Sequence, residues 1–319
     1  MQKRTAAVLR SLGAVVCWSV APILIRATRD HFSVLFQTFA RYLASMAVIW
    51  PVLIASRGPG GLRRDLAVMV PLLPRLLVIA LVNYVFQVGY TVSYYTLEPG
   101  FAALVGQSGV LFAAFLALVY LRDERSILTN RVYQAGLAGA VAGVCLTILG
   151  GGRGAGGAGA LWPGVPAMLA SAFSWALLGA LVKKWLHSVN PMLGVSLVFT
   201  LVTPMFLVTE LARVGSIAPP AAPPGAWVVL ILSGLIGVGL GHTLYYSSVP
   251  IVGVTTASSL GLLLPFLAGI GSLIVFGERM GALQLAGGAL LLAGCYLVIT
   301  RSRPSAPLPR DRGRSHPAS

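Results

Sequence analysis

A row of polar side chains lies on one side of an otherwise apolar segment in the first half of the chain. Its members, spaced by four, three and four residues, are Asn83, Gln87, Tyr90 and Tyr94. This spacing places all four on one face of a helix. Polar groups in apolar surroundings usually line a cavity or pair with each other. The face therefore predicts a wall of a substrate site or, as the alternative, hydrogen bonds between helices.

Two ionisable side chains also lie inside apolar runs, and each permits a binding role and a structural one. His242, with Tyr245 and Tyr246 one turn later, can titrate near neutral pH, which suits proton coupling. A neutral histidine bonded to a neighbouring hydroxyl is the alternative. Arg41 can bind a substrate carboxylate, stabilise helix ends or snorkel to the nearest polar interface.

Two tryptophans occupy similar places in the two halves of the chain. Trp18 and Trp175 both lie inside apolar runs rather than at their ends, which suits a cavity wall that stacks on a planar substrate. Filling a packing gap is the alternative. The candidate substrate-binding residues are therefore Trp18, Arg41, Asn83, Gln87, Tyr90, Tyr94, Trp175, His242 and Tyr246.

The patterns of an enzyme or a metal site are missing from the sequence. There is no HExxH, no GxSxG and no GxxxxGK[ST], and the eight acidic residues lie outside the apolar runs or near their ends. Cys17, Cys145 and Cys295 lack the spacing of metal ligands or disulfides, so we expect buried thiols. We expect neither a cofactor nor a metal, and no catalytic residue; an intramembrane enzyme stays as an alternative.

The composition identifies the medium around these residues. The chain has 319 residues, of which 57% are hydrophobic and only 10% are charged, and its mean hydropathy is +0.85. Soluble domains carry roughly 25% charged residues. Most of the surface must therefore face the lipid bilayer, which excludes a soluble enzyme, a disordered protein and a secreted disulfide scaffold. The net charge of +15 would indicate nucleic acid only in a soluble chain.

Runs without charged residues predict ten transmembrane helices, because about 20 apolar residues cross the hydrocarbon core. The predicted spans are about 7–25, 33–55, 76–97, 99–121, 132–152, 154–182, 185–209, two within 214–277, and 280–300. Pro250 is expected to mark the tight turn between the two spans of the long run.

The basic residues predict the orientation. With the N-terminus inside, 17 of the 23 Lys and Arg residues lie in inner segments and five in outer ones, with Arg41 inside a span. An even number of spans then places both termini in the cytoplasm. Residues 301–319 form a basic, Pro-rich cytoplasmic tail that we expect to be disordered and to lie against anionic lipid.

The two halves of the chain repeat each other. Tyr94-Tyr95 and Tyr245-Tyr246 are 151 residues apart, as are Ala142-Gly143 and Ala293-Gly294. We predict a five-helix repeat at 7–150, a Gly-rich linker at 151–159 and a second repeat at 160–300. Five helices per repeat invert the second copy, an architecture of transporters that bind substrate near the midplane. Gly139 and Gly143 form a GxxxG pair that predicts helix packing.

These features resemble the EamA-type ten-helix members of the drug/metabolite transporter (DMT) superfamily. The resemblance rests on a turn and a late Ala-Gly at the end of each half, and on the first, second and sixth helices. The residues are Phe276-Gly277-Glu278-Arg279 with Ala293-Gly294, Glu124-Arg125 with Ala142-Gly143, Trp18 with Pro22, Ala40-Arg41-Tyr42 and Ser174-Trp175-Ala176. In the first half Arg122-Asp123 replaces the usual glycine of the turn. The resemblance implies transport of small metabolites or amino acids across an inner membrane.

The function predicted from the sequence is that of a secondary transporter in the cell (inner) membrane. We expect the two halves to alternate access to a cavity lined by the third and eighth helices, with the first and sixth contributing. A small-molecule substrate is exported or exchanged, with a substrate or proton gradient as the energy source and no nucleic acid as partner. A channel or a non-transporting membrane subunit is the alternative.

Overall fold

The computed structural model describes residues 2–120, 130–151, 161–186, 189–216 and 219–301, and this part of the chain is helical without any strand. Ten helices within these residues are long and apolar enough to cross a membrane, which confirms the all-α polytopic fold with ten spans. They are α1 (Gln2–Ala27), α2 (Val34–Gly58), α3 (Gly60–Thr96), α4 (Pro99–Leu116), α5 (Arg131–Gly151), α6 (Gly164–Trp185), α7 (Pro191–Val214), α8 (Pro224–Val252), α9 (Thr256–Phe276) and α10 (Ala282–Arg301).

Local signals set several helix ends. The Ser33 side chain accepts a hydrogen bond from the Phe36 amide (3.1 Å) at the start of α2, and Asn190 caps the Met192 amide (2.9 Å) at the start of α7. Gly58, with φ of 67°, separates α2 from α3, because a residue with a side chain rarely adopts that conformation. The two repeats therefore begin their second helices with the same kind of cap.

The turn between α8 and α9 lies later than the sequence predicts. Pro250 is inside α8, and the chain reverses at Gly253, where φ is 84°. Proline has no amide hydrogen for the Tyr246 carbonyl oxygen, so Pro250 removes one hydrogen bond near the end of α8 without reversing the chain. The positive φ of the turn itself requires glycine. The predicted break at Lys183 and Lys184 is also displaced: both lie in the last turn of α6, where cations interact favourably with the helix dipole.

Equivalent helices of the two repeats are irregular. In the fourth span, Gln107 and Ser108 separate the helix Pro99–Gly106 from Gly109–Tyr120. In the ninth span, Leu262 and Leu263 separate Val254–Gly261 from Leu264–Phe276. In addition, α8 contains a π-helical stretch at Gly234–Leu240. Such irregular turns often occur at functional sites in membrane helices.

The helices pack in pairs that the two repeats share. α1 packs on α8 as α3 packs on α6, α2 faces α7, α4 faces α9, and the most extensive contact joins α5 and α10. Each pair takes one helix from each repeat. Exchanging each helix with its equivalent in the other repeat turns the α1–α8 pair into the α6–α3 pair and leaves the other three pairs unchanged. This is the two-fold arrangement expected of two inverted five-helix repeats.

Small residues let α5 and α10, the equivalent last helices of the two repeats, approach each other closely. A Cβ atom added at Gly143 would lie 2.2 Å from the Leu291 amide nitrogen, and one at Gly287 would lie 2.5 Å from the Thr147 amide nitrogen. Gly139, the other half of the predicted GxxxG pair, faces more open space, 3.7 Å from a Leu290 methyl group. This contact joins the two repeats, and Gly143 is the residue of α5 whose added Cβ atom would come closest to α10.

Several sequence predictions fall outside the described residues. Of the linker 151–159 only Gly151 is described, and of the tail 301–319 only Arg301. Glu124-Arg125, half of the repeated turn pattern, also lies outside.

Candidate functional site

Aromatic side chains from α1, α6 and α8 meet where the two repeats join. The ring centroid of Trp18 lies 6.3 Å from that of Trp175, 5.3 Å from that of His242 and 5.0 Å from that of Tyr245. The two tryptophans hold equivalent places in the two repeats, so their edge-on contact lies close to the pseudo-two-fold axis. This contact exists because α1 and α6 both line the join between the repeats.

The contacts continue along α3 and along α8. Phe86 lies 5.1 Å from Trp175 and 5.8 Å from Tyr90, and Tyr90 lies 4.6 Å from Tyr94, between ring centroids. On α8, Tyr246 stacks with His242 at 6.2 Å. We call this set the aromatic chain: Trp18, Phe86, Tyr90, Tyr94, Trp175, His242, Tyr245 and Tyr246.

The polar face of α3 divides into two parts. Asn83 accepts a hydrogen bond from the Tyr42 hydroxyl of α2 (2.8 Å), so its carbonyl oxygen is used between helices. Gln87 is buried, and its Oε1 atom has no hydrogen-bond partner among the described residues. A buried polar atom without a partner carries a free-energy cost unless a water molecule or a ligand satisfies it. The Oε1 atom of Gln87 is therefore available to accept a hydrogen bond from a ligand, whereas the Oδ1 atom of Asn83 is already used.

His242 is buried and oriented by its own helix. Its Nδ1 atom lies 2.9 Å from the Val238 carbonyl oxygen, which can only accept, so Nδ1 carries a hydrogen. Phe199 of α7 covers the ring at 5.0 Å and in turn contacts Tyr42 at 4.7 Å. The Nε2 atom is the free end of the imidazole.

Arg41 is buried beside the aromatic chain, with 2% of its surface exposed, so it does not snorkel to the surface of the molecule. Its Nε and Nη1 atoms have no hydrogen-bond acceptor among the described residues. The ionisable groups within electrostatic reach are Tyr42, Tyr90, Tyr94, Tyr95 and His242. The Trp18 indole Nε1 atom is likewise buried without a partner.

The structure thus brings seven of the nine predicted residues to one region; Asn83 is linked to it through Tyr42, and Gln87 lies on α3 one helical turn before Tyr90. Sequence reasoning missed Phe86, Phe199 and Gln37, whose Oε1 atom is also buried without a partner. Phe86 and Phe199 look like ordinary lipid-facing residues in the sequence. One signal was available for Phe199: it lies 157 residues after Tyr42, the separation of Trp18 and Trp175.

A groove of about 300 Å³ lies apart from this region, between the start of α2 and the end of α7. Ser33, Phe36 and Glu210 line it, and it shares no residue with the aromatic chain. Glu210 there is held by Arg213 (2.9 Å) and Ser33 (2.6 Å). Because its charged groups are already paired, the groove offers less to a ligand than the Arg41 region does.

A charged cluster ties together the ends of α1, α3 and α9. Arg26 forms an ion pair with Glu278 and donates a hydrogen bond to the Leu97 carbonyl oxygen (2.9 Å). The side chains of Arg26 and Glu278 are only 14% and 15% exposed. We call Arg26, Glu98 and Glu278 the Arg26 cluster; it joins the two repeats at one end of the bundle.

Glu98 of this cluster gives a prediction about pH. Burial, followed by the like charge of Glu278, raises the pKa of Glu98 above its ordinary value of 4.5, against an opposing effect of Arg26. The folded state is therefore favoured when Glu98 is protonated, so this contribution is complete below pH 4.5 and is lost as the pH rises through the raised pKa. We expect Glu98→Gln to raise the melting temperature at pH 7 by about 2 °C and to lose that advantage below pH 4.5.

Melting curves in detergent across this pH range measure the effect. Asp30→Asn, at a carboxyl group that is 84% exposed, is the control and should leave the curve unchanged. A constant difference between Glu98→Gln and the wild type at every pH would contradict the prediction.

Comparisons with known proteins agree with this architecture. The sequence matches the EamA-like transporter family over residues 5–149 and 162–300, one match for each half. No curated protein matches the sequence. A solved structure described only as "Crystal structure of protein" has 19% sequence identity, covers 94% of this chain and 98% of its own, and superposes with a TM-score of 0.60. That likeness shows the fold. On the match over both repeats, the chain belongs to the EamA-like transporter family, a family of DMT-type membrane transporters.

Proposed function

We propose that the protein is a gradient-driven secondary transporter that exports or exchanges a small metabolite or amino acid by alternating access. The observation that carries the proposal is the meeting of aromatic side chains from α1, α3, α6 and α8 on the join between the repeats, together with buried polar atoms that lack a partner. In transporters with inverted repeats, this is where substrate binds while the repeats rock around it. We assign the protein no enzymatic activity, in keeping with its family.

We further propose that the protein lies in the cell (inner) membrane with both termini in the cytoplasm. The support is the excess of Lys and Arg in the segments that this orientation places inside. The Arg26 cluster then lies at the outer end of the bundle, and the C-terminal basic segment lies beside the anionic cytoplasmic leaflet.

Flux through reconstituted liposomes tests the transport proposal. Purified protein in liposomes should take up at least one compound from a panel of amino acids, organic acids and amines, under a substrate gradient or a pH gradient. Empty liposomes control for leakage, and thermal melting confirms that the protein is folded. The absence of any protein-dependent, gradient-dependent flux from folded protein would contradict the proposal.

Protons are the proposed coupling ion, with His242 as the binding group. The free Nε2 atom can accept a proton; Arg41 is a charged neighbour, and Tyr245 and Tyr246 are titratable neighbours on the same helix. We expect His242→Gln to reduce pH-driven uptake to the level measured without a pH gradient, because glutamine cannot carry the proton. His31→Gln, an exposed histidine in the α1–α2 loop, is the control. An unchanged pH dependence in His242→Gln would exclude this role.

A further inference from the structure

Arg41 is a buried cation without an anionic partner in the part of the chain that the structure describes. Four described acidic residues are paired elsewhere: Asp30 with Arg29, Asp65 with Arg57, Glu210 with Arg213 and Glu278 with Arg26. A fifth, Glu98, is within electrostatic reach of Arg26 rather than Arg41. No salt bridge among the described residues includes Arg41.

Such an arrangement is unfavourable in the ligand-free protein. A charge removed from water loses its hydration, and only a partner of opposite charge or a full set of hydrogen bonds compensates for that loss. Arg41 has neither, since two of its three guanidinium nitrogens lack an acceptor. The side chain is nevertheless held in place: its backbone packs against Gly234, and Nη2 lies beside Gly237 in the π-helical stretch of α8.

The side chains near Arg41 indicate which other chemical groups a bound ligand would have. Tyr90 and Tyr94 of the aromatic chain lie within reach of the guanidinium and offer ring faces and hydroxyl groups. Gln37, one helical turn before Arg41 on the same face of α2, and Gln87 on α3 each have a buried Oε1 atom without a partner. These tyrosine and glutamine side chains are uncharged, so the planar guanidinium of Arg41 supplies the charge in this set.

We propose that the substrate is a small organic carboxylate, whose carboxylate group binds Arg41 while its apolar body packs on the aromatic chain. Arginine suits this role because its planar fork of donors matches the two oxygens of a carboxylate. The inference rests on the proposed function in one respect, that the region between the repeats is the transport site. The rival role, in which Arg41 serves only to hold the π-helical stretch of α8 in place, predicts the opposite result in the first experiment.

The first experiment needs no ligand. We expect Arg41→Met to raise the melting temperature of the ligand-free protein in detergent by about 3–6 °C, because it removes an unpaired buried charge and keeps an unbranched apolar stem. Arg75→Met, at an exposed position on α3, should leave it unchanged. If Arg41→Met melts lower than the wild type or does not fold, Arg41 is a structural residue and the inference is wrong.

The second experiment compares each carboxylate with its own amide. Phenylacetate and 3-methylbutanoate should raise the melting temperature of the wild type, whereas phenylacetamide and 3-methylbutanamide should not, with sodium chloride at matched ionic strength as the salt control. Arg41→Gln should weaken carboxylate binding at least about 30-fold, and Arg75→Gln should not. Equal effects of acid and amide, or no effect of either carboxylate on the wild type, would overturn the inference.

Flux separates this inference from the proposed function. If the carboxylates stabilise the wild type through Arg41 but no gradient drives their uptake, the transport proposal fails and the carboxylate site stands. If liposomes take up neutral or cationic compounds equally well with wild type and Arg41→Gln, transport stands and the carboxylate site fails.

Discussion

Replacing Gly143 with alanine is expected to lower the melting temperature of the detergent-solubilised protein by roughly 10 °C, corresponding to about 3 kcal/mol. The added methyl group would lie 2.2 Å from the Leu291 amide nitrogen, 2.6 Å from its Cα atom and 2.8 Å from the Gly287 carbonyl oxygen. These are backbone atoms of α10, so no side-chain rotation relieves the overlap. The helices α5 and α10 must move apart, which opens the contact on the axis between the repeats.

The same helix supplies a matched control for this prediction. In Gly139→Ala the new methyl group would lie 3.7 Å from a Leu290 methyl group, an ordinary van der Waals distance. Alanine is also the better helix former, so this variant should melt at the wild-type temperature or slightly above it. If both variants lose the same stability, the close approach of α5 and α10 is not what requires glycine at position 143.

Replacing Arg26 with methionine is expected to destabilise the protein by a similar amount, roughly 3 kcal/mol. The substitution removes the partner of a Glu278 carboxylate that is only 15% exposed, together with the hydrogen bond to the Leu97 carbonyl oxygen. It also removes the cation that opposes the repulsion between Glu98 and Glu278. Thermal melting at pH 7 measures the loss.

A double-mutant cycle with Glu278→Gln shows whether the ion pair is the cause. If Arg26 and Glu278 act on each other, the double variant should lose clearly less stability than the two single variants added together. The control is Asp30→Asn, which breaks the 3.6 Å ion pair with Arg29 at a carboxyl group that is 84% exposed and keeps the Arg29 hydrogen bond to the Tyr95 carbonyl oxygen; it should cost less than about 1 kcal/mol. Additive effects, or an equal loss in Asp30→Asn, would contradict a role for the Arg26 cluster in joining the repeats.

The number of spans could be predicted from the sequence because hydropathy is a local property. A run of about 20 residues without charge must be helical in lipid, where each backbone amide needs a partner within its own segment. Exact ends could not be predicted in the same way. Pro250 lies in the last turn of α8 and does not interrupt that helix. Lys183 and Lys184 likewise lie in the last turn of α6.

The repeat was also readable from the sequence, although its meaning for packing was not. Gly136 and Gly143 match Gly287 and Gly294 at a constant separation of 151 residues. The GxxxG pattern predicts close helix packing at Gly139 and Gly143 alike. Only the position of α10 shows that Gly143 meets backbone atoms at 2.2 Å whereas Gly139 meets a methyl group at 3.7 Å.

The sequence by itself determined that this chain spans a membrane ten times in two related halves, and which side chains place polar groups inside apolar helices. The tertiary structure decided what those side chains do, because a partner for a buried polar atom comes from a neighbouring helix. It gives Asn83 the Tyr42 hydroxyl and leaves Arg41 without an anion among the described residues. Two polar residues that both lie inside apolar runs thus differ in role: Asn83 forms a structural hydrogen bond, and Arg41 is a candidate binding group.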